Sequence, residues 1–234
     1  MNRRNCLSSL GLSAAGSVVG LAAVTATNER PWVLSLESFR VSNAERLRRL
    51  HSYLGGAFLS RLAEVHRGPK MFLDAIVAPH TPQAVVVTVF RSFDEMIETR
   101  NKIAAHPDIQ RARADLESGE SQILITAADS LQFDDGPDRR AGIFELRSYH
   151  APAWRDHPPA AASAAFRRAG IGPILAASAA GEHLPRFTYL VPFESLAERQ
   201  EAWARLDADS EWSRLGAKVT GASIYLLAPY SPLS

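Results

Sequence analysis

Three polar residues alternate with other side chains along one short β-like stretch, and their types could bind or transform a ligand. Glu145, Arg147 and Tyr149 are separated by Leu146 and Ser148, so successive side chains of a strand would place the three on one face. If the apolar residues of this strand face helices, the trio faces the space between the two halves of the protein described below. A glutamate beside an arginine could hold a carboxylate, amide or phenol ligand, and the tyrosine could donate a hydrogen bond or a proton.

The same trio has a structural interpretation. A carboxylate and a guanidinium two residues apart on a strand often pair and satisfy each other at a buried interface. The sequence favours this pairing over ligand binding, and ligand binding over catalysis. We therefore predict no catalytic residue and take Glu145, Arg147 and Tyr149 as the candidate ligand-binding residues.

Residue types that would support other chemistry are absent or poorly spaced. The seven histidines include no pair two or four residues apart, so no two imidazoles have a metal-binding spacing. The single cysteine, Cys6, lies in an N-terminal segment that we expect to be removed. The 26 basic and 25 acidic residues are interspersed, as on solvated helix faces. We predict no metal, no cofactor and no nucleic-acid partner.

The elements that position the trio occur twice. A constant offset of 103 residues relates Phe90 to Phe193 and Ile109 to Trp212. In both copies a serine stands three residues before a glutamate, which predicts a capping box at the start of an amphipathic helix. The predicted capping pairs are Ser92 with Glu95 and Ser195 with Glu198.

The duplication predicts two tandem domains, at residues 31–132 and 141–234, with a polar linker at 133–140 that contains Gly136-Pro137. Each domain has the predicted order βαββαβ, with strands at 32–39, 71–77, 84–90 and 122–126, and at 143–149, 174–177, 187–193 and 223–227. Helices are predicted from a Ser42–Glu45 capping box, from Phe93, from about Pro159 and from Leu196. This is an α+β, ferredoxin-like arrangement in which both helices of a domain cover one sheet face.

Several other residues have predicted structural roles. His106-Pro107-Asp108 and Asp209-Ser210-Glu211 are interpreted as helix ends and surface turns. Trp154, Trp203 and Trp212 are interpreted as packing anchors.

The first 26 residues have the pattern of a twin-arginine signal peptide. Arg3-Arg4 precedes a weakly apolar run as far as Val24, and cleavage is predicted after Ala26. The mature protein would then be periplasmic or extracellular, without an integral membrane domain. The alternative is an uncleaved anchor, although a run so rich in glycine and serine would make a poor membrane-spanning helix.

The second half resembles the NIPSNAP family. The similarity lies in Phe144–Tyr149, in the strand and helix start Leu184–Leu196, in Asp209-Ser210-Glu211-Trp212 and in the tail Ala228–Leu233. The first half is similar only as a degenerate copy, in which Ser38 matches Ser148. The resemblance implies a dimeric α/β-barrel fold, here fused from two ferredoxin-like domains that pack as an intramolecular pseudo-dimer.

The resemblance implies no settled activity, and two function classes stay open. One is an exported, non-enzymatic module that binds a small apolar ligand or a protein partner. The other is a cofactor-independent or haem-dependent monooxygenase-like enzyme of the barrel type. His150 follows the trio directly and could border a cavity or act as a lone haem ligand, but a solvent-facing histidine at a strand end is the favoured interpretation.

Overall fold

The computed structural model describes residues 32–113, 119–131, 141–154, 160–179 and 186–232, without the side chains of residues 113, 119–131 and 179. The predicted signal peptide at 1–26 and the predicted linker at 133–140 lie outside the described residues.

Eight strands within the described residues form one closed barrel. They are β1 Val33–Arg40, β2 Lys70–Val77, β3 Gln83–Phe90, β4 Gly119–Leu131, β5 Ile143–His150, β6 Leu175–Ala179, β7 Arg186–Phe193 and β8 Lys218–Leu227. The order around the barrel is β1-β3-β2-β8-β5-β7-β6-β4, so β1 to β4 occupy four adjacent positions and β5 to β8 the other four. The predicted α+β class and the predicted curling of the sheet into a barrel are confirmed.

Every neighbouring pair of strands is antiparallel. Consequently β1 and β5 end at the same rim of the barrel, where β3, β7 and β8 begin. Val33 pairs with Phe90 and Ile143 pairs with Phe193, so the two strand pairs have the same register. Strands β2 and β8, and strands β4 and β6, join the two sets of four.

The barrel interior is largely filled by apolar side chains, as expected for eight strands. Its core comprises Leu34, Leu36, Met71, Leu73, Val85, Val87, Val89, Phe144, Ile174, Leu175, Ala177, Leu190 and Tyr225. Two larger cores lie outside the barrel, between the sheet and the helices of each half, and a small third cluster joins Val33, Phe90 and Met96. Trp154, Trp203 and Trp212 belong to the second-half outer core, which confirms them as packing residues.

The helices pack on the outside of the barrel. They are α1 Ala44–Tyr53, α2 Leu59–Val65, α3 Phe93–Ala104, α4 Pro107–Arg113, α5 Ala160–Ala169, α6 Leu196–Asp207 and α7 Ser210–Arg214. A π-helical turn, Leu54–Phe58, joins α1 to α2, and a 3-10 turn, Pro152–Trp154, precedes α5. None of the helices in the described ranges is both long and apolar enough to cross a bilayer.

The predicted capping boxes of α3 and α6 are confirmed. Ser92 Oγ accepts a hydrogen bond from Glu95 N, and Glu95 Oε2 accepts one from Arg91 N. The cap of α1 differs from the prediction, because Asn43 rather than Ser42 accepts the hydrogen bond from Arg46 N. An asparagine caps a helix as well as a serine does, and the extended backbone of Asn43 decides between the two.

The two acidic segments follow the ends of α3 and α6, as predicted, but they begin short helices instead of forming surface turns. Asp209 is the N-cap of α7, and its carboxylate accepts hydrogen bonds from Glu211 N and Trp212 N. Pro107 is the first residue of α4, a position that suits its fixed φ angle. These helices continue the path of the chain after α6 and α3.

The chain after β8 binds to the first half. Ala228 N donates to Phe72 O, and Phe72 N donates to Ser231 Oγ. Tyr230 then packs on the π-helical turn, where a Cβ atom added to Gly55 would lie 2.8 Å from Tyr230 Cγ. The C-terminal tail therefore packs the second half against the helices of the first half.

Candidate functional site

The trio predicted from the sequence faces the helices, and the expectation that it faces the space between the halves is wrong. Glu145 is hydrogen-bonded to α6, and Tyr149 belongs to the outer core of the second half. Phe144 lies in the barrel interior. The error has a simple cause: the barrel lumen is the more apolar face of β5, so Phe144 and Leu146 point inward and the polar residues point outward.

Glu145 is fully buried, and both of its carboxylate oxygens accept hydrogen bonds. Arg199 donates two hydrogen bonds to its carboxylate, from Nε and Nη2, each 2.9 Å long. Trp203 Nε1 donates a third, of 2.5 Å. Arg147 contributes an ion pair at 3.5 Å. The predicted Glu145–Arg147 pair therefore exists, but Arg199 and Trp203 of α6 are the principal partners.

Arg147 and Tyr149 continue this cluster along β5. The Arg147 guanidinium carbon lies 3.9 Å from the centre of the Trp203 ring and 5.6 Å from that of Tyr149. Burial raises the pKa of Tyr149, although the Arg147 charge opposes part of this rise. The Tyr149 hydroxyl has no hydrogen-bond partner within the described ranges. A neutral phenol beside a satisfied ion cluster is a packing group, and ligand binding by the three residues stays a prediction.

The first half has a smaller counterpart of this cluster. Arg100 of α3 donates to Ser35 and to Glu37 of β1, at 3.0 and 2.5 Å. By the pairing registers, Ser35 corresponds to Glu145 and Glu37 to Arg147. Both halves thus fix a helix to the outer face of the sheet through an arginine. This recurrence supports a structural role for Glu145.

The other face of the same strands carries polar residues at the rim where β1 and β5 end, which we call the upper rim. Cross-strand pairing places His150 beside Arg186 of β7 and Lys218 of β8, and Arg40 beside Gln83 of β3. Strand alternation places His150, Arg186, Arg40 and Gln83 on the lumen face with the interior core. An irregularity in the β5–β8 pairing after Ser148 shifts β8 by one residue, so Lys218 pairs with His150 on this same face. His150 was a candidate from the sequence, whereas the cations around it were not.

A layer of small polar residues lies beneath the upper rim. Ser148 Oγ and Thr188 Oγ1 are 3.0 Å apart, and Thr188 is fully buried. Leu146, Ser148 and Ser223 on the same face remain half-buried, whereas Phe144, Leu190 and Tyr225 deeper in the barrel are buried. Side chains at the upper rim are therefore more accessible than those of the packed apolar floor. In the sequence, Ser148 and His150 alternate with the trio, and this alternation could have indicated that they lie on the opposite face of β5.

Two other titratable clusters lie in the first half. His51 Nδ1 is 2.9 Å from Tyr230 Oη and 3.6 Å from Asp74 Oδ1, and burial raises the pKa of Asp74 while the His51 charge lowers it. His66 is buried, with Nδ1 3.1 Å from Glu95 Oε1. Burial lowers the pKa of His66, and Glu95 opposes this effect in part.

Within the described ranges, no group of three histidine, cysteine, aspartate or glutamate side chains comes close enough to hold a metal ion.

Comparison with known proteins supports the family resemblance of the second half and the barrel fold. Residues 143–232 match the family model described as NIPSNAP. No curated protein matches the chain at a significant level.

Solved structures with this fold cover most of the chain. A heme-binding protein from Thermus thermophilus is 11% identical with a TM-score of 0.56, and the match covers 86% of this chain and 92% of that one. A mutant chlorite dismutase from Candidatus Nitrospira defluvii, in complex with cyanide, is 10% identical with a TM-score of 0.56, over 85% and 91% of the two chains. A provisionally assigned monooxygenase from Fusobacterium nucleatum is 9% identical with a TM-score of 0.51, over 85% and 93%. At these identities the likeness concerns the fold, which confirms the dimeric α/β-barrel class.

The described residues do not fit a haem group. The second-half layer between sheet and helices is filled by buried aromatic rings, including Phe166, Tyr189 and Trp212. In the first half, His66 is buried and its ring lies against Gly68, where an added Cβ would be 2.6 Å from Nε2. The lower lumen is occupied by Phe144, as described above.

Proposed function

We propose that this protein is an exported, non-enzymatic binding module in which two fused ferredoxin-like domains, 31–132 and 141–234, form one barrel with a small-molecule site at the upper rim. The single observation that carries the proposal is the change along the lumen face from a packed apolar floor to half-buried Leu146, Ser148 and Ser223 beneath a polar rim. Binding sites in barrels of this size occur at such mouths.

A binding role agrees with the state of the buried polar groups. Glu145, Arg199 and Trp203 are bonded to one another, and Arg100 is bonded to Ser35 and Glu37, so these side chains support the sheet and helices. The half-buried hydroxyl groups of Ser148 and Ser223, beneath the upper rim, are the ones placed to meet a ligand. Their hydrogen-bonding capacity would give orientation, and the adjacent leucine would give apolar contact.

The proposed site is tested by filling it. A panel of small neutral, acidic and basic compounds is screened by thermal shift against the wild type and against Ser148→Phe, whose larger ring would occupy the rim. At least one class should raise the melting temperature of the wild type and leave Ser148→Phe unaffected. Ser213→Phe, on the exposed surface of α7, is the control and should respond like the wild type.

Two results would overturn this function. If no class stabilises the wild type, or if Ser148→Phe responds as strongly as the wild type, the upper rim is not the site. If mass spectrometry shows that the protein converts a bound compound into a product, the non-enzymatic proposal is wrong and the oxygenase-like alternative is favoured.

Export is a separate part of the proposal, supported by Arg3-Arg4 and by the small residues that end at Ala26. Twin-arginine machinery reads the arginine pair as an address. Replacing both arginines by lysine should therefore leave the protein in the cytoplasm, as measured by cell fractionation. Undiminished export of that variant would disprove this route.

A further inference from the structure

We infer that the upper rim binds the head group of a small organic carboxylate and that the second half supplies the binding side chains. The inference rests on the proposed function, because it names the ligand class of that same site. It begins from the charges around His150, which pairs with Arg186 on one side and with Lys218 on the other. Directly paired residues have Cβ atoms about 4.5–5.5 Å apart, so two permanent cations flank one imidazole.

Cations on neighbouring strands repel one another unless something compensates them. The described lumen-face positions next to this group are Ser148, Thr188 and Gly221, which carry no charge. Glu145, the nearest carboxylate along β5, points to the other side of the sheet and is already held by Arg199. An anion bound at the upper rim would offset the repulsion between these cations.

Arg186 also has an unpaired hydrogen-bond donor among the described residues. Its Nε atom is buried and has no hydrogen-bond partner within the described part of the chain. Buried polar atoms are nearly always hydrogen-bonded, and a guanidinium recognises a carboxylate through two parallel N–H donors. The half-buried Ser148 hydroxyl lies two residues deeper on β5, where it could donate to the same oxygen atoms while it accepts a hydrogen bond from the buried Thr188 hydroxyl.

The surroundings of the hydroxyl layer point to an organic anion with a short apolar body. Ala177 lies at the level of Ser148 and Thr188, Leu146 and Leu190 lie at the next level down, and buried Tyr225 lies below them beside Phe144. A ligand could therefore place its carboxylate between the cations and a few carbon atoms against Leu146. A fully hydrated inorganic anion would leave this apolar surface uncovered, so it should bind more weakly.

The test compares four probes by isothermal titration calorimetry with the full chain: hexanoate, hexanol, hexylamine and inorganic phosphate. Hexanoate should bind most tightly, and its affinity should fall as the salt concentration rises. Arg186→Gln and Lys218→Gln should each weaken hexanoate binding by about tenfold or more. Arg214→Gln, a change of the same charge on the exposed surface of α7, should leave the affinity unchanged.

The possible results separate this inference from the proposed function. If hexanol binds as tightly as hexanoate and Ser148→Phe abolishes both, the site stands and the carboxylate inference is overturned. If phosphate binds as tightly as hexanoate, the inference that the ligand is an organic anion is overturned. If none of the probes binds and no compound of the screening panel depends on Ser148, both proposals fall. Circular dichroism verifies that each variant is folded. If Arg186→Gln does not fold, the hexanoate affinity of Lys218→Gln tests the carboxylate inference.

Discussion

At the scale of single residues, Glu145 shows how a polar side chain can belong to the structure. Its carboxylate is inaccessible to water and accepts two hydrogen bonds from Arg199 and one from Trp203. Removing a charge from water costs several kcal/mol, so this arrangement is stable only while its partners are present. The cluster therefore makes the position of α6 on the sheet depend on one strand residue.

We expect Arg199→Met to destabilise the protein strongly, by about 3–5 kcal/mol, because it leaves the buried Glu145 carboxylate without its main partner. Glu145→Leu combined with Arg199→Met should recover much of this loss. Urea unfolding of both single variants and the double variant gives the coupling energy. A coupling energy near zero would contradict the structural role. Arg49→Met, which breaks an exposed pair with Glu45, is the control and should cost below about 1 kcal/mol.

A second residue-scale prediction concerns pH. Burial lowers the pKa of His66, so between that lowered value and about 6.5 the unfolded chain binds a proton that the folded protein does not. The free energy of unfolding should therefore fall as the pH falls through this window. In His66→Gln this part of the pH dependence should vanish. Chemical unfolding between pH 5 and 8 measures the profile, and an unchanged slope in His66→Gln would refute the assignment.

At the scale of elements, local rules position the helices and tertiary contacts modify them. Ser92 with Glu95 and Ser195 with Glu198 begin α3 and α6 as capping boxes do in general. The helix that starts at Ala44 instead passes through a π-helical turn before α2. Gly55 in that turn faces the Tyr230 ring, whereas a Cβ atom on Gly56 would meet nothing within 4 Å.

The two neighbouring glycines should respond to alanine in opposite directions. Gly55→Ala places a methyl group 2.8 Å from Tyr230 Cγ, and we expect a loss of about 1–3 kcal/mol from overpacking. Gly56→Ala has open space and should stabilise the protein by about 0.4–1 kcal/mol, because the unfolded chain loses freedom. Thermal unfolding of both variants measures the difference. Equal effects would show that the contact between the tail and the turn contributes nothing.

At the scale of the whole molecule, the barrel closes only because each set of four strands supplies edges for the other. Strand β8 pairs with β2, and β6 pairs with β4. Without the first set, β6 and β8 would expose unpaired backbone groups and the apolar lumen face would meet water. Such edges and faces are sites of association.

A fragment that begins at residue 141 should therefore form a dimer or aggregate. In a dimer, β8 of one copy would pair with β6 of the other, which reproduces the two junctions of the intact barrel. Analytical ultracentrifugation at micromolar concentration measures the association state. A stable monomer would mean that the two halves fold independently and would remove the shared rim proposed as the site.

The sequence by itself determined the class of the fold, the order of the strands and of the longer helices, and the two capping boxes, because these follow from periodicity and from contacts three or four residues apart. It also placed Glu145, Arg147 and Tyr149 on one strand face. Which face that is was decided by tertiary structure, since alternation gives two faces but does not say which of them lies in the lumen. The cations of the upper rim, Arg186 and Lys218, join His150 only through strand pairing, and no spacing along the chain could have brought them together.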